Sequence, residues 1–107
     1  MQFRLIGLCE IHSFLSVDIE FDAVKDASNL AKHGVSLAFG ALVFDDSDHI
    51  VIGSSRPVDG EVRFKAIGLI EGKLWTTVHV WRGTSVRMIS VRRSNPGEQR
   101  AYYRDPR

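Results

Sequence analysis

Apolar and polar positions change period twice along this chain of 107 residues. Val17, Ile19 and Phe21 alternate with Asp18 and Glu20, the period of two that marks a short, half-buried strand over residues 17–21. From Asp22 the period lengthens. Val24, Ala27, Leu30 and Ala31 form one apolar stripe of a helix, opposite Lys25, Asn29, Lys32 and His33, with Asp22 as N-cap and Gly34 as a left-handed C-cap. Ser36 can cap a second helix through Leu37, Ala38, Phe39, Ala41, Leu42, Val43 and Phe44, apolar nearly all round and therefore buried, in which Gly40 costs up to ~1 kcal/mol. The strand period returns over residues 49–53, 62–70, 74–81 and 84–93. Glu71-Gly72-Lys73 and Arg82-Gly83 read as tight links, so the last three strands form an antiparallel meander. Asn95 as cap, Pro96 at the first helical position and Glu98 reaching back to the cap open a terminal helix that Pro106 stops.

Alternation sorts the meander into two faces. Val62, Phe64, Ala66 and Gly68 with Leu74, Thr76, Val78 and Val80 make an apolar face on which the helices should pack. The other face joins Arg63 and Lys65 to Trp75, Thr77, His79 and Trp81. Cations that hold phosphates beside rings that accept unstacked bases suit single-stranded RNA. The last strand leaves two registers open, with either Arg87, Ile89, Val91 and Arg93 or Val86, Met88, Ser90 and Arg92 on a given face.

Charge sharpens this reading. The whole chain is +1, but residues 1–55 carry three Lys and Arg against eight acids, and residues 56–107 carry eleven against five. Nine of those eleven are Arg, whose planar fork engages phosphate oxygens in pairs, so an anionic partner is expected. The solvated basic surface is the plainer reading of the same charges, as a satisfied sheet residue is of His79. The single Cys9 leaves no internal disulfide, no Cys/His pairs stand at zinc spacing, and a reducing cytoplasm is the expected setting. Glu10 and His12 interrupt the N-terminal apolar run too early for a secretion signal, and no stretch approaches the ~20 apolar residues of a membrane span.

Several pieces occur in a recognisable order: Ile19-Glu-Phe-Asp22; Lys25, Asn29 and Lys32-His-Gly-Val-Ser36; Val43-Phe-Asp45; Gly60-Glu61 with Arg63; Ile67-Gly68; Val78-His79; Arg87-Met-Ile-Ser90 with Arg92-Arg93; then Glu98 and Tyr102. In this order the chain resembles the BrnT family, small ribonuclease toxins of bacterial type II toxin–antitoxin modules. The resemblance implies a compact α+β fold similar to RelE, an antiparallel sheet of about four strands flanked by two N-terminal helices and one C-terminal helix. It also implies a BrnA-like antitoxin with a ribbon-helix-helix portion, a heterotetramer as the complex, and contact with DNA only through that antitoxin. Ile19 and Phe21 depart from the aromatic pair usual in the family, and Leu37-Ala38-Phe39 replaces acids that usually follow the Ser cap. Residues 1–16 have no counterpart there; they are expected to be an extension, or the result of a misassigned start, before a single domain over residues 17–107.

With no carboxylate or His/Cys cluster to hold a metal, RNA cleavage is expected to run through attack of the 2′-hydroxyl on its own phosphate. Such attack needs a base, cations for the developing charge and an acid for the leaving oxygen. Glu61 or His79 is the candidate base, Arg63 and Arg87 the candidate charge stabilisers, and Lys25, Lys32, His33, Lys65, Ser90, Arg92 and Arg93 the candidate RNA contacts. Two other classes fit the same residues: a module that grips RNA, DNA or a ribosomal surface without cutting, and an interaction protein whose Trp and Arg side chains meet an acidic partner.

Overall fold

The computed structural model describes Gln2–Leu5, Glu10–His12 and residues 18–104, the first two stretches through their backbone alone. The expected roles of Cys9, Val17 and Pro106 lie outside the described residues. Among the described residues a mixed sheet of seven strands carries the fold: β1 (Gln2–Leu5), β2 (Glu10–His12), β3 (Asp18–Phe21), β4 (Ile50–Gly53), β5 (Phe64–Ile70), β6 (Lys73–Arg82) and β7 (Ser85–Arg93), in the spatial order β2-β1-β3-β7-β6-β5-β4. Strands β4 to β7 are antiparallel neighbours, as the meander predicts. The all-antiparallel expectation fails at β3, which runs parallel to β7, and again at β1, parallel to β3. β1 and β2 belong to the stretch read as an extension.

Local signals set the helices. The helix α1 (Ala23–His33) starts where Asp22 accepts the Val24 amide at 2.7 Å and ends at Gly34, whose φ of 77° only glycine adopts without strain. The helix α2 (Pro96–Arg104) opens with the predicted capping box: the Glu98 amide donates to Asn95 Oδ1 at 2.8 Å, and the Asn95 amide donates to Glu98 Oε1 at 2.9 Å. The second expected helix is instead a 3-10 segment, Ala38–Asp45, with the Ser36 hydroxyl accepting from the Phe39 amide at 3.2 Å. Its tight winding goes with close contact to the sheet. Thr77 donates to the Gly40 carbonyl at 2.8 Å, and a Cβ on Gly40 would overlap the Val91 side chain. Gly40 is there for that approach.

The apolar core lies between this 3-10 segment and one sheet face, where Ile19, Phe21, Leu37, Ala41, Val43, Ala66, Val86, Met88 and Val91 are buried and Phe39 meets Trp75 edge-on at 4.9 Å. On the other face α2 covers a smaller cluster of Ile67, Leu74 and Tyr102, and it covers one end only.

The two faces differ from the expected ones because of one turn residue. Ile70 pairs with Lys73, so the β5–β6 link is the two-residue turn Glu71-Gly72, both at positive φ, and not a three-residue link. A shift of one residue exchanges the faces. Phe64 therefore stands opposite His79, Ala66 opposite Thr77 and Gly68 opposite Trp75, whereas Lys65 stands opposite Val78. Trp75, Thr77 and His79 belong to the covered face, and Arg63 and Lys65 to the other.

The first helix is also turned over. The stripe of Val24, Ala27, Leu30 and Ala31 faces solvent, with Val24 77% and Leu30 55% exposed. The buried member of the helix is Asn29.

Candidate functional site

The basic residues converge on the second sheet face, in rows fixed by register. Arg92 lies opposite Thr76, Ser90 opposite Val78, which stands opposite Lys65, and Glu20 opposite Arg87, which stands opposite Val80. A bulge in β7 at Ile89 makes this possible, since Ser90 pairs with Val78 but Met88 with His79. The open choice of register for β7 is settled by that bulge: Arg87, Ser90 and Arg92 share the second face. Arg93 falls on the other, stacked over Trp75 at 5.6 Å with its Nε donating to the Leu74 carbonyl.

At the end covered by α2 the cations are saturated. Arg92 grips Glu98 with two bonds of 2.7 Å, Lys65 donates to it at 3.1 Å and the Thr76 hydroxyl at 2.9 Å. Glu98 is 2% exposed. Burial alone would raise its pKa, but the Arg92 fork, the Asn95 amide, Lys65 and Thr76 together outweigh it and hold the group at about 2. Glu98 also keeps Arg92 firmly protonated. A sequence reading that sees Glu98 only as a helix cap misses this hub, whose signal is an acid placed shortly after the Arg92-Arg93 pair.

At the other end the arginines are loosely held. Arg63 Nε stands 3.7 Å from Asp59, and Arg87 Nη2 stands 3.6 Å from Glu20. Among the described residues, the buried side-chain nitrogens and oxygens with no hydrogen-bond partner are the Nε atoms of these two arginines. Arg63 borders a cavity of about 280 Å³ with Ser54, Arg56, Val78, Ile89 and Ser90. Ser54 and Arg56 were not foreseen, because their loop has no period to read. Glu61 is exposed and accepts from Arg82 at 3.4 Å.

A second groove, of about 240 Å³, runs along the edge of β7 between Ile89, Ser90 and the α1 residues Lys25, Asn29, Lys32 and His33. Asn29 builds it. Its amide nitrogen donates to the Val91 and Val35 carbonyls, each at 2.9 Å, and its oxygen accepts the Val91 amide at 2.9 Å, pairing with β7 where β3 has ended. Both grooves share Ile89 and Ser90. The structure thus brings Lys25, Lys32, His33 and Ser90 together, and Ser90 to Arg63.

His79 is elsewhere. It is 1% exposed on the covered face, its ring edge-on to Phe44 at 5.3 Å and facing Phe64 at 6.0 Å, and burial pushes its pKa down. Trp81 shares that face but is half exposed.

Among the described residues no three His, Cys, Asp or Glu side chains stand together as a metal ion requires, and no helix is long and apolar enough to cross a membrane. No curated protein matches the chain. The family model described as the ribonuclease toxin BrnT of type II toxin–antitoxin systems matches residues 21–98, from the end of β3 through the Glu98 hub. The chain belongs to the BrnT family of ribonuclease toxins.

Proposed function

We propose that the open end of the second sheet face binds RNA and cuts it without a metal, by attack of a 2′-hydroxyl on the adjacent phosphate. The observation that carries this is the pair Arg63 and Arg87, whose Nε donors are buried, unpartnered and left with carboxylates beyond hydrogen-bond distance. A fold that used these guanidinium groups for stability would satisfy them, as it does Arg92. Held ready, they stabilise charge developing on phosphorus. Glu61 is the base in this scheme, being exposed and carboxylate-bearing, while His79 lies under the 3-10 segment with no path to a hydroxyl. Lys65 and Arg92 shape the face through Glu98, and Lys25, Lys32 and His33 hold the RNA backbone beyond Ser90. The antiparallel meander of β4 to β7, with helices packed on both faces, supports a RelE-like architecture. A BrnA-like antitoxin, joined in a heterotetramer in the cytoplasm, is the expected partner.

The test is incubation of the purified chain with structured RNA in excess chelator. Fragments ending in 2′,3′-cyclic or 3′-phosphate are expected, because neighbouring-group attack leaves that end. Loss of cutting in chelator, or equal cutting of DNA, would sink the reading.

A further inference from the structure

The first helix is amphipathic in the wrong sense for a helix that packs by its apolar stripe. Val24, Ala27, Leu30 and Ala31 all face outward, and the side set against the sheet is polar. This orientation is fixed by bonds that a rotation of the helix would break. Asn29 is tied to both backbone groups of Val91 and to the Val35 carbonyl, and Asp26 accepts the Leu37 amide at 2.7 Å. Each of those backbone groups would lose its partner if the stripe turned inward. Among the described residues nothing covers the stripe, which is left as an apolar surface free to meet a partner.

We propose that the outward stripe of α1 is the seat of an amphipathic helix of the antitoxin, one that sets acidic side chains against Lys25 and Lys32. The proposal rests on the reading of the chain as a toxin with a protein antitoxin. Three features choose the occupant. Spacing of the anchors at i, i+3, i+6 and i+7 along α1 gives a ridge that a second helix can pack against. Charge borders the stripe unevenly, since Lys25 and Lys32, both exposed, follow one side of it, so an acidic flank complements it. The third is continuity with the site. Lys25 and Lys32 also line the groove that leads to Ser90, and acids paired with them would stand where RNA phosphates are proposed to run. A partner seated on the stripe would thus close one entrance to the site without touching Arg63 or Arg87.

The experiment uses the full chain, the protein encoded in the neighbouring reading frame as the probe, and two variants, Leu30→Glu and Lys32→Glu. Isothermal titration gives affinity, sedimentation gives the mass of the chain alone, and RNA turnover with a thermal melt checks that Leu30→Glu is folded. Leu30 is exposed, so the melt should stay within a few degrees of the parent. The expected result is at least a tenfold loss of affinity for Leu30→Glu, a smaller loss for Lys32→Glu that shrinks as salt rises, and a monomeric chain in isolation. Equal affinity of the parent and Leu30→Glu for the probe would overturn the proposal. So would a parent chain that is dimeric and becomes monomeric on Leu30→Glu, since the occupant would then be a second copy. No binding of the probe to the parent at all would instead remove the toxin–antitoxin pairing on which the proposal rests.

Discussion

At one end of the second sheet face Arg92 and Lys65 share the Glu98 carboxylate at 2.7 and 3.1 Å, beneath α2. At the other, Arg63 and Arg87 stand 3.7 and 3.6 Å from Asp59 and Glu20 and leave their Nε donors unmet. The residue type is the same and the strands are continuous, so the difference lies in what the fold asks of each arginine. A buried carboxylate with five donors is satisfied and structural. An arginine with an unpaired buried donor is destabilising, and a fold keeps such a group where it serves something other than stability. Charge alone, counted along the chain, does not separate the two kinds.

The largest effect should come from removing the hub. Glu98→Ala leaves Arg92 and Lys65 without their anion and the Asn95 amide uncapped, and breaking a buried pair from one side costs roughly 3–5 kcal/mol. Thermal or urea unfolding measures this, and a loss under ~1 kcal/mol would mean that the end under α2 is as loosely held as the other.

Next in size is the converse at the open end. Arg63→Ala and Arg87→Ala should each lower RNA turnover about 10²–10³-fold, by analogy with loss of a preorganised donor worth ~2.7–4 kcal/mol, while unfolding stays near that of the parent. Retained turnover in both soluble variants would take these residues out of the chemistry. A large fall in stability would make them structural, and the contrast between the ends would disappear.

Acid should separate the ends as well. Glu98 titrates at about 2 when folded and near 4.5 in its unperturbed state, so its folded pKa is depressed. Its contribution to stability is full above pH 4.5 and is lost progressively as pH falls towards 2, on the order of 3 kcal/mol in all. Measured stability of the parent should drop across this window, and Glu98→Gln should flatten that part of the curve. A curve as steep in Glu98→Gln as in the parent would place the acid sensitivity at other carboxylates.

Much of this architecture was legible because it is local. Asp22 and Gly34 bound α1, Asn95 and Glu98 open α2, and strands β3 to β7 lie within one or two residues of the sequence pattern, because caps and alternation act over four residues or fewer, whereas β1 and β2 fall in the stretch read as an extension. What failed is long-range. The reading of Glu71-Gly72-Lys73 as the link moved the β5–β6 register by one residue and set His79 and Trp75 beside Arg63, when Glu71 in fact occupies the left-handed region at φ 51° and the turn has two residues. The stripe of α1 was found correctly but given the wrong side, since a pattern shows that a helix has two faces and not which one meets the sheet. Asn29, one polar residue that pairs with a strand edge, decided it. For the site, the order of the family pieces names Lys25, Lys32, His33, Arg63 and Ser90 as candidates, but the two grooves they line, Lys25, Lys32 and His33 in one, Arg63 in the other and Ser90 in both, depend on the bulge at Ile89, which period-2 reasoning does not foresee.

The smallest predicted effect tests whether every ion pair on this sheet counts. Arg82 reaches Glu61 through a 3.4 Å contact, with side chains 49% and 35% exposed. Water screens both groups, and holding two long side chains in one geometry has an entropic cost that offsets most of the attraction. Arg82→Ala should therefore change unfolding stability by less than ~1 kcal/mol, and raising the salt concentration should erase even that. The comparison with Arg92 is direct, since both are Arg–Glu contacts at the β6–β7 part of the sheet and differ chiefly in burial and in the number of bonds each carboxylate accepts. If Arg82→Ala and Glu98→Ala lowered stability alike, burial would not be what distinguishes the arginines, and the loose hold on Arg63 and Arg87 would lose its meaning as a mark of function.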